Sequence, residues 1–160
     1  MSLERVAINA SPLITLYRAN LHTLLPRLFP EILVPESVWT EVVSSGTHED
    51  PAAMGLPGAT WAKKTVVSNR PEVQAWNLGA GETALLSLAF ADKTVKVIMD
   101  DRAARRCANV FGISAIGTAG VVVLAKRRGL IPSVEQALRQ LQAAGLWVSE
   151  ALISQLAVED

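Results

Sequence analysis

Between Gly79 and Arg106 the chain runs GAGETALLSLAFADKTVKVIMDDRAARR, which leaves few choices of local structure. A glycine turn leads into a segment carrying Ala84, Leu85, Leu86, Leu88, Ala89 and Phe90. A helix that is apolar nearly all round must be buried. Its one early charge is Glu82, and the positions three, four and seven residues further on, which share its face, hold Leu85, Leu86 and Ala89. The carboxylate therefore lies over the apolar side, where a charge is costly unless a cation or hydrogen-bond donors meet it. Val95 to Met99 then reads as a short strand ending in Asp100 and Asp101. Open α/β sheets place their ligands at that end of a strand. A plainer reading accounts for each acid alone equally well: Asp101 as the N-cap of a helix from Arg102, Glu82 as a first-turn acid favoured by the helix dipole.

The remainder repeats the alternation. Val6 to Ile8 predicts a strand ended by Asn9, and Ser11-Pro12 predicts a helix start with Ser11 as N-cap. A short helix over Leu21 to Phe29, a strand over Glu31 to Val34 and a helix from Glu36 follow. In that helix Val38, Trp39, Val42 and Val43 form one stripe, and Glu41 borders it, about 60° from Val38. Ser44 to Ala59 reads as a loop, with His48 to Asp50 solvated, and Thr60 to Val67 as an edge strand; Asn69 to Leu78 takes no assignment. Past Asp101 the pattern gives a helix to Gly112, a strand over Ile113 to Ile116 and a helix from Thr118 to Arg128 stopped by Gly129. Two more helices open at Ser133 and Ser149.

Short apolar strands alternating with helices indicate βαβ units and a mostly parallel sheet covered on both faces. At 160 residues, half of them apolar, one domain over residues 1–160 is expected. No apolar run is long enough to cross a bilayer, and the N-terminal MSLERVAINA lacks a signal-peptide core. The single cysteine, Cys107, excludes a disulfide framework and a CxxC metal site, so a cytoplasmic protein with no membrane partner is expected. Zero formal net charge argues against a global basic field. Arg102, Arg105, Arg106, Lys126, Arg127 and Arg128 still allow a local basic rim. Neither GxGxxG nor a phosphate loop occurs, which makes a small-nucleotide-binding domain the weakest reading.

If the strands are adjacent, Asn9, Glu41, Glu82 and the Asp100-Asp101 pair converge on one cleft. Three or four carboxylates cannot all stay ionised there without a cation. Oxygen ligands with no His or Cys suit Mg²⁺ or Mn²⁺, ions that serve phosphoryl transfer. The rival readings are a solvated Glu41, incidental histidines at His22 and His48, a packed Cys107, and Trp61 and Trp76 as packing residues and not base-stacking platforms.

Six blocks carry a resemblance: NASPLI from Asn9, VPESVWTEV from Val34, LGAGETALLSLA from Leu78, VIMDDRAARRCA from Val97, IGTAGVVVLAKRRGLIPSV from Ile116 and LRQLQAAGLWVS from Leu138. In this order they resemble the PIN-domain family, nearest its small prokaryotic VapC-like branch of predicted nucleic-acid-binding proteins. The resemblance implies a Rossmann-like three-layer α/β/α sandwich, a divalent-metal site and cleavage of RNA, single-stranded or structured. It assigns Glu41, Glu82 and Asp101 (or Asp100) to the family's second, third and fourth acids. The first acid, usually Asp, is here Asn9, whose amide oxygen can ligate Mg²⁺ but brings no charge. On this likeness the expected function is that of a VapC-like ribonuclease toxin paired with an antitoxin protein. Glu41, Glu82, Asp100 and Asp101 would be catalytic and, with Asn9, hold the metal. Ser11 and Thr118 would bind a water or phosphate, and Arg102, Arg105 and Lys126 would contact phosphates, although a solvated helix face explains each cation equally well. The alternative is a catalytically weak or inactive module that binds RNA or a protein. Apolar residues of the last helices (Leu138, Leu141, Leu146, Trp147, Leu152, Ile153) either bury a homodimer interface or complete the core.

Overall fold

The computed structural model describes residues 5–45 and 50–160. Five short strands form one sheet: β1 (Arg5–Ile8), β2 (Glu31–Pro35), β3 (Ala62–Thr65), β4 (Val95–Ile98) and β5 (Ala115–Ile116). Their order is β3-β2-β1-β4-β5, and every pairing is parallel. The register sets Val6 beside Ile32, Ala7 beside Val97 and Ile98 beside Ile116. Between the strands run α1 (Ala10–Arg18), α2 (Leu24–Leu28), α3 (Glu36–Ser45), α4 (Pro51–Gly55), α5 (Pro71–Gln74), α6 (Ala80–Ala91), α7 (Arg102–Val110) and α8 (Thr118–Arg127). After them come α9 (Val134–Ala143) and α10 (Glu150–Leu156).

The unbroken apolar runs of the inner strands β1 and β2, Val6 to Ile8 and Ile32 to Val34, follow from burial on both faces. Successive side chains alternate across a strand. Val6, Ile8, Ile32, Val34 and Ile98 enter one core with residues of α1, α2, α3, α8 and α9. Ala7, Leu33, Val95, Val97 and Met99 enter a second with residues of α6 and α7. Two cores on opposite faces of one sheet are the three expected layers. The helix apolar nearly all round is α6, whose Leu85, Leu86 and Ala89 are fully buried.

The strand order decides where a ligand goes. The direction in which successive strands are added to the sheet reverses between β1 and β4, and crevices open beyond the carboxyl ends of strands at such a switch point. Asn9 follows β1 and Asp100 lies two residues past β4, so both stand at that reversal. The Asn9 backbone N–H donates to the Ile98 carbonyl at 3.0 Å, which ties the two strand ends together.

Several local expectations are corrected. Asn9, not Ser11, is the N-cap residue of α1, and it makes no side-chain cap bond. Pro12 sits in the first turn, where its missing N–H removes no helix bond. The expected loop after Ser44 contains α4 and a 3₁₀ turn over Leu56–Gly58. Asp50 is no solvated residue: it is buried, caps α4 by accepting from the Ala52 N–H at 3.1 Å, and meets Arg18 at 3.4 Å. His48 lies outside the described residues. Asn69 to Leu78 contains α5, started by Pro71. Strand β3 is shorter than Thr60 to Val67 but does lie at a sheet edge.

His22 stacks on Tyr17, ring centroids 4.1 Å apart, and its Nδ1 is buried without a hydrogen-bond partner. Burial lowers its pKa below the ordinary 6.5. The folded chain thus favours the neutral ring and the unfolded chain binds the proton more readily. The sign follows: this contribution is complete above about pH 6.5 and is lost as pH falls through the lowered folded value. His22→Phe keeps the stack and is expected to flatten the fall in Tm on acidification between neutral pH and pH 5. An unchanged Tm-against-pH slope in that variant contradicts this.

Leu138, Leu141 and Ile153 belong to the core, with Leu146 and Leu152 packed against it. Of the six apolar residues of the last helices only Trp147, 84 % exposed, is left uncovered. Cys107 is fully buried and its thiol pKa is pushed up by that burial. No helix among the described residues is long and apolar enough to cross a membrane.

Candidate functional site

The site is built from the starts of α1 and α6 and from the middle of α3, which meet at the switch point. Asn9 lies between β1 and α1 and is 5 % exposed. Its Nδ2 donates to Glu82 Oε1 at 3.2 Å, joining two residues 73 positions apart. The amide faces across the cleft, which is why it does not cap its own helix. Glu82 is the third residue of α6, and its Oε2 folds back over the helix start: a Cβ built on Gly79 would meet it at 2.5 Å. A first-turn carboxylate is favoured there by the unpaired N–H groups and the helix dipole. Glu82 is thus a first-turn acid of α6 whose other oxygen accepts from the Asn9 amide.

Gly81 completes the arrangement. A Cβ at this position would stand 2.9 Å from Asn9 Oδ1, 3.4 Å from Val38 Cγ2 and 3.9 Å from Glu41 Oε2. One point on α6 is thus within 4 Å of oxygens from α1's start and from α3, and only a missing side chain leaves room for both. Glu41 is exposed at the mouth and projects from α3, which packs on α6. These three residues, with Ser11, Thr15, Arg18 and the backbone near Gly145, line a cavity of about 420 Å³. Arg18 and Gly145 give no signal in the sequence. Gly81 does, as the second glycine of GAGE.

The aspartates divide differently. Asp100 is fully engaged: its Oδ1 accepts the Thr118 N–H at 2.8 Å and its Oδ2 the Thr118 hydroxyl at 2.6 Å. Thr118, itself completely buried, so fixes the Asp100 carboxylate at the start of α8. Asp101 caps α7 by accepting from the Ala104 N–H at 2.8 Å. Arg105 approaches this corner, since a Cβ on Gly117 would meet its Nη1 at 2.8 Å and Asp100 Oδ1 at 3.1 Å. Arg102 and Arg105 face a separate groove along α7. Lys126 is not brought to the acids. It lies eight residues along α8 from Thr118, about 12 Å by helical rise, where it donates to the Pro132 carbonyl at 2.8 Å and meets Asp160 at 3.8 Å.

The chemistry of the donors tests whether a divalent ion fits. Asn9, Glu41 and Glu82 offer oxygens only, in a cleft kept open by Gly81. Two glutamates and an amide are fewer acids than the sequence suggested: among the described residues no group of three His, Cys, Asp or Glu side chains is placed to hold a metal ion. Mg²⁺ keeps several waters and is commonly bound through one or two carboxylates plus substrate phosphates. The donor set fits an ion of that kind.

A family model described as PIN domain matches residues 5–159. No curated protein and no solved structure matches the chain.

Proposed function

This chain belongs to the PIN-domain family, whose members are associated with nuclease activity, and from that premise we propose that it is a divalent-metal-dependent ribonuclease of the VapC-like kind. The observation that carries the reading is the meeting of Asn9, Glu82 and Glu41 at the β1–β4 switch point, three residues from three segments around one cavity. A bound Mg²⁺ or Mn²⁺ supplies charge neutralisation at a phosphate and acidifies a water. Glu82 and Glu41 provide the negative charge that attracts it, and Asn9 provides a neutral oxygen. The Asn9 amide also holds the Glu82 carboxylate in one orientation. Asp100, pinned at both oxygens by Thr118, and Asp101, fixed as a helix cap, are rigid acids just past β4 and do not line the cavity. Ser11, exposed in the second position of α1, lines the cavity where its hydroxyl can donate to a phosphate or a water.

The same proposal includes a cytoplasmic location, an antitoxin protein as regulator and a homodimer, for which exposed Trp147 and Val158 are apolar residues available near the last helices. The hydrogen bond from Asn9 to Glu82 supports a second reading, binding of RNA without hydrolysis, because a donor rather than a second acid meets Glu82. A titration separates them. End-labelled single-stranded RNA is incubated with the protein at rising Mg²⁺ or Mn²⁺. Cleavage that requires the ion and stops with EDTA supports the nuclease. RNA retention with no cleavage at any concentration of either ion removes it.

A further inference from the structure

The second groove of the molecule, about 540 Å³, lies on the outer side of α7 and is lined by Trp76, Arg102, Arg105, Arg106, Asn109 and Val110. We propose that it is a binding track for single-stranded RNA leading away from the cleavage site, with the arginines on phosphates and Trp76 stacking a base. This rests on the ribonuclease reading and names the form of RNA that the site accepts.

The helix itself is the first support. Arg102, Arg105, Arg106 and Asn109 fall at i, i+3, i+4 and i+7, so they form one stripe. All four are exposed, while Ala104, Cys107 and Ala108 turn inward and fix the orientation of α7. Among the described residues, none of the three guanidinium groups enters an ion pair. Five of the other seven arginines, Arg5, Arg18, Arg70, Arg127 and Arg139, do. Three unpaired like charges within little more than one helical turn repel one another, a cost that an anionic ligand would relieve. In a chain with zero formal net charge, the stripe is a local choice and not a general excess of base.

The second support is aromatic. Trp76 is half-buried, anchored edge-on to Phe111 with ring centroids 6.4 Å apart, and still lines the groove. A fixed, partly open indole beside a basic stripe is the pairing that proteins use for unpaired bases: stacking tolerates any sequence, and duplexes hide the faces it needs. The third support is position. Asp101 caps α7, so the stripe starts one residue from the aspartate pair, and Arg105 reaches toward Asp100. From Arg102 to Asn109 the helix rises about 10.5 Å, room for about three stacked nucleotides. An acidic peptide would also find the arginines, but it gives no role to the indole.

Binding of a fluorescently labelled, mixed-sequence single-stranded 12-mer RNA is measured in EDTA, where cleavage cannot interfere, over a series of salt concentrations. Arg106→Gln is expected to weaken binding and to lower the slope of log K against log salt by about one. Trp76→Leu keeps apolar packing on Phe111; it is expected to weaken binding about fivefold to a hundredfold with the slope unchanged. A duplex of the same sequence is expected to respond to Arg106→Gln but not to Trp76→Leu. Wild-type affinity and slope in both variants, with melting temperatures retained, overturn the track and leave the groove to an acidic protein segment. The outcome is separable from the nuclease question. Altered binding in these variants with no cleavage by the wild type at any ion keeps the track and removes the hydrolysis, while ion-dependent cleavage with unaltered binding does the reverse.

Discussion

Glu82→Gln is expected to reduce metal-dependent RNA cleavage about a hundredfold while leaving the fold intact. Glutamine has the same shape and retains an oxygen that can accept the Asn9 Nδ2 hydrogen bond seen at 3.2 Å, so the strand-to-helix junctions keep their tie. What disappears is one of the two negative charges at the mouth of the cavity. At an effective dielectric of about 20, a unit charge 4 Å from another is of order 4 kcal/mol. Solvation returns part of that, and about 2.8 kcal/mol lost corresponds to about a hundredfold in ion affinity. The check is cleavage rate against Mn²⁺ concentration, with the melting temperature measured alongside. A variant that cleaves normally at the wild-type ion requirement contradicts the assignment of Glu82.

Asn9→Asp is expected to act in the opposite direction, and its sign depends on the ion. The substitution places a second carboxylate about where the Asn9 amide now touches Glu82, at a position only 5 % exposed. Two carboxylates in contact with no cation between them raise the pKa of one, since both cannot stay ionised. In EDTA at neutral pH the variant should melt lower than the wild type. The raised folded pKa means that the deficit shrinks as pH falls into the carboxylate range and grows as pH rises through the raised value. With Mn²⁺ the order should invert: the added charge strengthens ion binding by about tenfold to a hundredfold, and binding to the folded state alone raises Tm. Equal melting temperatures for the two proteins with and without Mn²⁺ would show that Asn9 does not face an ion site.

The sheet was legible because burial on both faces writes itself as consecutive apolar residues, as in Val6-Ala7-Ile8 and Ile32-Leu33-Val34. The α6 helix was equally plain. Local starts were not: Ser11-Pro12 has the composition of a cap, yet α1 starts at Ala10 behind Asn9, whose amide turns across the cleft to Glu82 and caps nothing. Nothing within six residues of Asp50 announces that it will be buried, since its ion partner Arg18 is 32 positions away. The site divides along the same line. Asn9 and Glu82 were readable as candidates from their places at element ends and Glu41 from its place beside the apolar stripe of its helix, and the structure brings them together. Asp100 and Asp101 were readable too, but not that Thr118 would engage both oxygens of one and a helix N-terminus the other. Lys126 looked available as a charge and is held instead by a carbonyl and Asp160, contacts that depend on how the last helix returns. Trp76 read as a packing residue in preference to a base-stacking one, and its neighbourhood with the α7 arginines emerges only from the groove they line together.

Everything assigned to this cleft requires that a hard cation settle among Asn9, Glu41 and Glu82. Anomalous diffraction from a crystal soaked in Mn²⁺ reads that directly. The account predicts one strong peak in the cavity, coordinated by the Asn9 amide oxygen and at least one of the two glutamates at the short distances hard cations take, about 2.1 Å for Mg²⁺. A peak elsewhere on the molecule, or none in this cavity at saturating Mn²⁺, would contradict it.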